Sequence, residues 1–188
     1  MNNFLPKLII LDRDGVINYD SDAYIKSPTE WEAIPGSLEA IGMLTAAGIK
    51  VAIATNQSGI YREFFTFRTL HSIHQKLLTE LKEIANGEIS YIAICPHGPA
   101  DLCSCRKPNP GMLYEISQKL HIPLDSNTYF IGDSYKDVEA AENSGCTPIT
   151  VRTGKGKLTE TKLLTLEKNI KVYDNLFQAI TTLLTETK

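Results

Sequence analysis

Short apolar segments alternate along the chain with longer segments in which apolar residues recur every three or four positions. The short segments are bounded by turn residues and are typical of buried strands in a parallel sheet. The longer segments predict amphipathic helices. The predicted strands cover residues 8–11, 49–54, 89–94, 127–131, 147–151 and 170–173. The predicted helices cover residues 38–47, 66–85 and 110–120, a segment that ends at Gly145, and segments that begin near Thr159 and Asn175.

The regular alternation of strand and helix predicts an α/β fold. Parallel strands joined by helices require right-handed crossovers, so we expect a three-layer sandwich with a mostly parallel sheet. Ser37 is expected to cap the first helix, and Asn109 the third, with Pro110 at the first helical position. The polar segment 18–29 is expected to form either a flap over a site or a surface loop.

Composition narrows the possible partners. The 188 residues are enough for one core, so we expect a single domain over residues 1–188. A formal net charge of -3 gives no broad basic surface, and nucleic acid is therefore not an expected partner. Residues 1–7 lack the features of a signal peptide and no apolar run is long enough to span a membrane. We expect a cytoplasmic monomer.

Polar side chains follow four of the predicted strands. In a doubly wound sheet these strand ends lie along one edge, so the side chains are expected to converge there. Three carboxylates in one crevice would repel one another unless a hard cation such as Mg²⁺ lies among them. Such a site, with basic and hydroxyl groups facing an anionic oxygen, suits phosphoryl transfer. The residues are Asp12, Asp14, Thr55, Asn56, Arg106, Lys107, Asp133 and Asp137.

Each of these signals has a simpler structural interpretation when it is taken alone. A pair of carboxylates after a strand can cap a turn, Thr55 and Asn56 can cap a helix, and Asp133 with Asp137 can stabilise a helix N-terminus. The basic pair Arg106 and Lys107 can be a solvated surface feature. The order and spacing of the whole set favour the catalytic interpretation.

Four ordered segments resemble the motifs of the haloacid dehalogenase (HAD) superfamily of phosphohydrolases. These are IILDRDGV at 9–16, Thr55, Lys107, and Gly132-Asp133 with Asp137. The segments LDRDGVIN, TNQSGI, CPH, CRKPNPGM and VRTGKG are similar to the branch that contains heptose 1,7-bisphosphate phosphatases and histidinol-phosphate phosphatases. The resemblance implies a Rossmann-like HAD sandwich, here without a cap domain.

The resemblance also implies roles for individual residues. Asp12 would be the nucleophile and Asp14 the general acid and base. Mg²⁺ would be held by the carboxylates of Asp12 and Asp133 and by the backbone carbonyl of Asp14, while Asp137 would support this metal site. Lys107 would bind the transferring phosphoryl group and keep Asp12 ionised.

Further residues are expected to contact the substrate. Thr55 would bind the phosphoryl group together with Lys107, and Arg106 would recognise the rest of the substrate. Asn56, Tyr24 and Ser134 are additional candidates for substrate contacts.

The cysteines predict a second metal site. Cys95, His97, Cys103 and Cys105 supply three thiolates and one imidazole within residues 95–105, a composition that closes a tetrahedral Zn²⁺ site without an open position. We therefore expect a structural zinc loop that fixes the two basic residues that follow it. Cys146 is expected in the core, and the histidines at positions 71, 74 and 121 are expected on helix surfaces or in packing contacts.

The resemblance implies a small phosphorylated sugar as the substrate. We expect removal of the C7 phosphate of D-glycero-D-manno-heptose 1,7-bisphosphate in the synthesis of ADP-heptose for lipopolysaccharide core. Histidinol phosphate is the alternative, because the segment 98–102 between zinc ligands is short, as in histidinol-phosphate phosphatases. A second alternative is a non-catalytic zinc-ribbon binding module, against which the intact acidic set argues.

Overall fold

The computed structural model describes residues 5–186. Residues 1–4 of the N-terminal segment, for which no signal peptide is expected, lie outside the described residues, as do both ends of the predicted domain 1–188. Six parallel strands form one sheet in the order β3-β2-β1-β4-β5-β6. The strands are β1 Leu8–Leu11, β2 Lys50–Asn56, β3 Tyr91–Cys95, β4 Tyr129–Gly132, β5 Thr147–Val151 and β6 Lys171–Tyr173. The helices are α1 Ser37–Ala46, α2 Ser58–Tyr61, α3 Phe67–Ala85, α4 Gly111–Leu120, α5 Tyr135–Ser144, α6 Gly156–Thr165 and α7 Leu176–Glu186.

Strand β1 lies between β2 and β4, and all four of its side chains are fully buried. Successive side chains of a strand point to opposite faces, so β1 contributes to two cores. Ile9 and Leu11 pack with apolar residues of α1, α3 and α7, whereas Leu8 and Ile10 pack with those of α4 and α5. Burial of each such side chain contributes about 1.5–3 kcal/mol, which explains the continuous apolar run in the sequence. The three-layer parallel sandwich is confirmed.

The strand order places a crevice at the carboxyl end of β1. The chain runs from β1 outward through β2 and β3, and returns to the other side of β1 with β4. This reversal is the switch point at which doubly wound sheets bind ligands. Between Thr55 and Lys107 every residue is described, and this stretch forms α2, α3, β3 and the cysteine loop with no separate cap.

Two expected helix caps are wrong, because tertiary contacts use those side chains. Helix α1 begins at Ser37 after Gly36, which has φ 85, and the Ser37 hydroxyl donates instead to the carbonyl of Ile17 at 2.6 Å. Helix α4 begins at Gly111 rather than at Pro110. The side-chain amide of Asn109 donates to the carbonyl of Cys103 at 2.8 Å and thereby joins the helix start to the cysteine loop.

Strands β3 and β4 each begin two residues later than expected, and two helices also differ from expectation. The short helix α2 was not expected at all, since four residues are too few to show a helical period. Helix α6 begins three residues before the expected Thr159, at Gly156. There the hydroxyl of Thr159 donates to the carbonyl of Asp133 at 2.7 Å, so the start of α6 is fixed against the end of β4.

Candidate active site

Lys107 and Asp12 form an ion pair at the carboxyl end of β1. The Lys107 side chain is only 2% exposed, and its Nζ lies 2.9 Å from Asp12 Oδ2 and 2.6 Å from Asp137 Oδ1. A buried ammonium is stable only when it is paired, and here two carboxylates pair with it. Burial opposes the charge of Lys107, but the two carboxylates outweigh burial and raise the pKa of Lys107 above its ordinary value.

Asp133 brings a third carboxylate to the same place. One oxygen from each of Asp12, Asp133 and Asp137 lies within 4.8 Å of the others. Burial, together with the charges of the neighbouring carboxylates, raises the pKa of Asp133 to about 8 and that of Asp12 to about 7. The charge of Lys107 and its hydrogen bond to Asp12 oppose this rise.

The glycine-rich loop after β5 holds Asp133 in place. The backbone amide of Lys155 donates to Asp133 Oδ2 at 2.7 Å. A β-carbon at Gly15 or at Gly154 would collide with the Asp133 carboxylate, and both glycines have positive φ. The close approach therefore requires glycine at both positions. The donor set of carboxylates and the excess negative charge fit a divalent cation with a preference for oxygen ligands.

Both oxygens of Asp137 are already bound within the protein. Oδ1 accepts from Lys107, and Oδ2 accepts from the backbone amide of Ser134 at 2.9 Å and from its hydroxyl at 2.6 Å. The contacts with Ser134 form a capping box at the start of α5. Asp137 is thus placed to hold Lys107, and the hydroxyl of Ser134 is turned toward Asp137.

Asp14 is surrounded by hydrogen-bond donors. The Arg13 guanidinium reaches Oδ1 and Oδ2 at 2.8 and 2.9 Å, Asn18 Nδ2 donates to Oδ1 at 2.9 Å, and Gln57 Nε2 donates to Oδ2 at 2.9 Å. Burial favours the neutral acid. The charge of Arg13 and these hydrogen bonds outweigh burial and lower the pKa of Asp14.

A crevice of about 670 Å³ opens above these carboxylates. Four of the expected substrate-contacting residues line it, namely Tyr24, Asn56, Arg106 and Ser134. Asp12, Asp14, Lys107 and Asp133 lie in its wall, and so do the cationic residues Lys136, Lys155 and Lys162 and the acidic residues Asp20, Asp22 and Glu139. The cationic side chains can bind anionic groups of a substrate, and the acidic ones can bind its hydroxyl groups.

The cysteine loop brings its four expected zinc ligands together. Cys95 Sγ lies 3.8 Å from Cys103 Sγ and 3.2 Å from Cys105 Sγ, and His97 Nδ1 lies 3.6 Å from Cys95 Sγ and 3.2 Å from Cys105 Sγ. Zinc bonds of about 2.0–2.3 Å in a tetrahedron separate the ligand atoms by roughly 3.3–3.8 Å. The spacing of the side chains is therefore compatible with a zinc ion.

Comparisons with known proteins agree with this geometry. A family model described as HAD-hydrolase-like matches residues 104–179. The D-glycero-beta-D-manno-heptose-1,7-bisphosphate 7-phosphatase of Pseudomonas putida is 49% identical over 90% of this chain and 95% of its own length. The protein of the same name from Pseudomonas aeruginosa is 48% identical over 94% of this chain and 97% of its own. The chain belongs to the heptose-bisphosphate phosphatase family.

A solved structure supports the same family. The crystal structure of D,D-heptose 1,7-bisphosphate phosphatase from B. bronchiseptica, complexed with magnesium and phosphate, matches with a TM-score of 0.88 and 44% identity. The match covers 96% of this chain and 99% of that one. As a heptose-bisphosphate phosphatase family member with an HAD-like fold, the chain is a phosphoric monoester hydrolase. Among residues 5–186, no helix combines the length and apolar character needed to cross a membrane.

Two residues of the expected set make contacts other than those expected from the family motifs. Thr55 is fully buried, and its hydroxyl accepts a hydrogen bond from Gln57 Nε2 at 2.8 Å. Asn56 lines the crevice, but its side chain is bonded to the backbone of Lys107. Asn56 is therefore placed to position Lys107.

Sequence reasoning missed the partner of His74. This side chain is 5% exposed, and its Nε2 lies 3.2 Å from Arg13 Nη1. Burial and the charge of Arg13 lower the pKa of His74 to about 3. A signal was present in the sequence, because His74 lies on the apolar face of α3 with Leu70 and Leu77, where a polar side chain needs a partner. The expectation that Cys146 is a buried core residue is confirmed.

Proposed function

We propose that this chain removes the C7 phosphate of D-glycero-D-manno-heptose 1,7-bisphosphate through an aspartyl-phosphate on Asp12. The observation that carries the proposal is the contact of Asp12 with the buried Lys107 beside Asp133, at the base of a crevice whose wall includes Lys136, Lys155 and Lys162. The names of the relatives support the substrate. We further propose that the enzyme acts as a cytoplasmic monomer, built as a single domain, in ADP-heptose synthesis for lipopolysaccharide core.

In the first step a carboxylate oxygen of Asp12 attacks phosphorus in line with the leaving sugar oxygen. The bond from Asp12 to phosphorus forms as the bond from phosphorus to the sugar oxygen breaks. Asp14 donates a proton to that oxygen, because an alkoxide is a poor leaving group. Lys107 contacts Asp12, so its charge lies where negative charge on the phosphoryl oxygens must be stabilised.

In the second step water attacks the phosphorus of the aspartyl-phosphate. Asp14 takes a proton from the water, the bond to Asp12 breaks, and inorganic phosphate leaves. The proton that Asp14 gains is the one that it donates in the next turnover, so the cycle balances. The donors around Asp14 hold its carboxylate in one orientation and favour the ionised form, which is the form that takes the proton from water.

The carboxylates of Asp12 and Asp133 and the carbonyl of Asp14 would hold Mg²⁺. When bound, this ion supplies positive charge that neutralises the phosphate oxygens and the carboxylates. Asp137 is assigned to Lys107 rather than to the ion, since Lys107 and Ser134 occupy its oxygens.

Cys95, His97, Cys103 and Cys105 would hold a structural Zn²⁺. The convergence of four ligand atoms supports this assignment. Arg106 directly follows the last ligand, and its Nη1 donates to the carbonyl of His97 at 3.1 Å. The metal would therefore stiffen the segment that presents Arg106 and Lys107 to the crevice.

A comparison of substrates tests the proposal. We expect kcat/KM for heptose 1,7-bisphosphate to exceed that for histidinol phosphate by about a hundredfold or more, because the lysines in the crevice wall, Lys136, Lys155 and Lys162, can bind the second phosphate. Both anomers of the bisphosphate should be assayed in the presence of Mg²⁺. A preference for histidinol phosphate would overturn the substrate assignment while leaving the phosphatase chemistry intact.

A further inference from the structure

We propose that Arg13 and His74 form a buried pair that positions the carboxylate of Asp14 for proton transfer. The inference rests on the proposed function, because it concerns the acid and base of that reaction. Arg13 contacts the Asp14 carboxylate, and His74 contacts Arg13. Both are positioning residues that act through Asp14.

Arg13 is only 1% exposed, and its guanidinium has partners on two sides. On one side Nε and Nη2 donate to the Asp14 carboxylate at 2.8 to 3.1 Å. On the other side Nη1 lies 3.2 Å from His74 Nε2. A guanidinium is a rigid planar fork, so fixing Nη1 at His74 fixes the direction in which the opposite donors reach Asp14.

The contact between Arg13 and His74 fixes the tautomer of the histidine. Arginine has donors only, so Nε2 of His74 must be the unprotonated, accepting nitrogen, and the ring proton lies on Nδ1. The burial of His74 and the adjacent guanidinium charge keep the ring neutral. A neutral acceptor suits this position because a second positive charge beside Arg13 would repel it.

Helix α3 holds His74 in position beside Arg13. His74 belongs to its buried face, between Leu70 and Leu77, and Leu77 packs with apolar residues of the sheet and of α1. The α3 backbone is therefore fixed by apolar packing, and His74 extends from it to Arg13 at the end of β1. Loss of the histidine acceptor would leave a buried donor of Arg13 unpaired and remove one of the two contacts that orient the guanidinium.

Two substrates with different leaving groups separate positioning from general structural support. The leaving group of heptose 1,7-bisphosphate is a sugar alkoxide, which needs the proton from Asp14. The phenolate of p-nitrophenyl phosphate leaves without one. The parameter kcat/KM reports the first irreversible step, in which the leaving group departs, so a displaced Asp14 should affect the sugar phosphate selectively.

The experiment compares His74→Leu with His74→Gln. We expect His74→Leu to lower kcat/KM for the sugar bisphosphate about 10- to 100-fold and that for p-nitrophenyl phosphate by less than about 3-fold. His74→Gln places an amide oxygen near the position of Nε2 and should stay within about 3-fold of the parent on both substrates. His71→Leu, an exposed position one turn earlier on α3, is the matched control and should change neither.

Equal losses on both substrates, or no loss on either, would overturn the inference. Should His74→Leu not fold, His74→Asn gives the same comparison, because its amide is too short to reach Arg13. Asp12→Asn is assayed alongside to separate the two proposals. If Asp12→Asn retains full activity, the proposed function fails; if it is inactive while His74→Leu is unaffected, only the positioning role fails.

Discussion

Asn56 binds the backbone of Lys107 on both sides: its Oδ1 accepts from the Lys107 amide at 3.1 Å, and its Nδ2 donates to the Lys107 carbonyl at 3.2 Å. The contact joins the end of β2 to the loop that follows the zinc ligands. The backbone of Lys107 is thus fixed from one side while its ammonium is fixed by two carboxylates on the other. Lys107 therefore has little freedom to move away from Asp12.

Loss of the two hydrogen bonds between Asn56 and the Lys107 backbone should slow the reaction. Asn56→Ala eliminates two hydrogen bonds, each contributing about 1 kcal/mol, and leaves polar backbone groups of Lys107 without those partners. We expect kcat to fall about 10- to 100-fold, since a small displacement of a charged group at the reacting centre has a large effect on rate. Steady-state kinetics on the sugar bisphosphate measures this. An unchanged kcat in a folded Asn56→Ala variant would show that these two hydrogen bonds have no catalytic effect.

The affinity for Mg²⁺ should increase with pH. The pKa of Asp12 is raised to about 7 and that of Asp133 to about 8, so below these values the carboxylates hold protons that the cation must displace. Apparent affinity should therefore rise from about pH 6 to about pH 9, by up to about tenfold per pH unit for each proton released.

Titration calorimetry at several pH values measures that affinity. Asp133→Asn is the informative variant, because it removes a proposed ligand and should bind Mg²⁺ weakly at every pH. A pH-independent affinity in the parent protein would contradict the assigned donors.

Zinc should be present and should depend on the cysteine loop. We expect about one zinc ion per chain by elemental analysis, and we expect Cys103→Ser to lose it, because three ligands hold the ion more weakly than four. Activity should fall at the same time, since Arg106 and Lys107 follow the loop directly.

Cys146→Ser provides the matched control for the zinc experiment. Cys146 is buried in the core formed with α4 and α5 rather than placed with the four ligands, so this variant should keep its zinc. Full zinc content in Cys103→Ser would remove Cys103 from the ligand set.

The parallel sandwich was predictable because periodicity is a local property of the sequence. The apolar run of β1 and the stripe that contains Leu70, Leu77 and Leu81 in α3 show a strand and a helix without any knowledge of their neighbours. Ligand sites at the ends of parallel strands follow from topology, so Asp12 and Asp133 could be placed together before the structure was known.

The side-chain contacts that hold the candidate site in place could not be predicted from periodicity or topology. Asn56 and Lys107 are 51 positions apart, and Arg13 and His74 are 61 positions apart, so each pair meets only through tertiary packing. The hydrogen bond of Ser37 could not be predicted either, because its partner Ile17 lies 20 positions away. The local preference of Ser37 for a helix cap is overridden by a carbonyl that the folded chain brings to it.

The central claim is that Asp12 is the nucleophile of a phosphatase. The most direct test is phosphate release from heptose 1,7-bisphosphate by the parent protein and by Asp12→Asn, both in Mg²⁺ and with matched folding confirmed by circular dichroism. An amide cannot form the aspartyl-phosphate, so we expect Asp12→Asn to lose at least about a thousandfold in kcat. Phosphate release by Asp12→Asn at the rate of the parent protein would contradict the account.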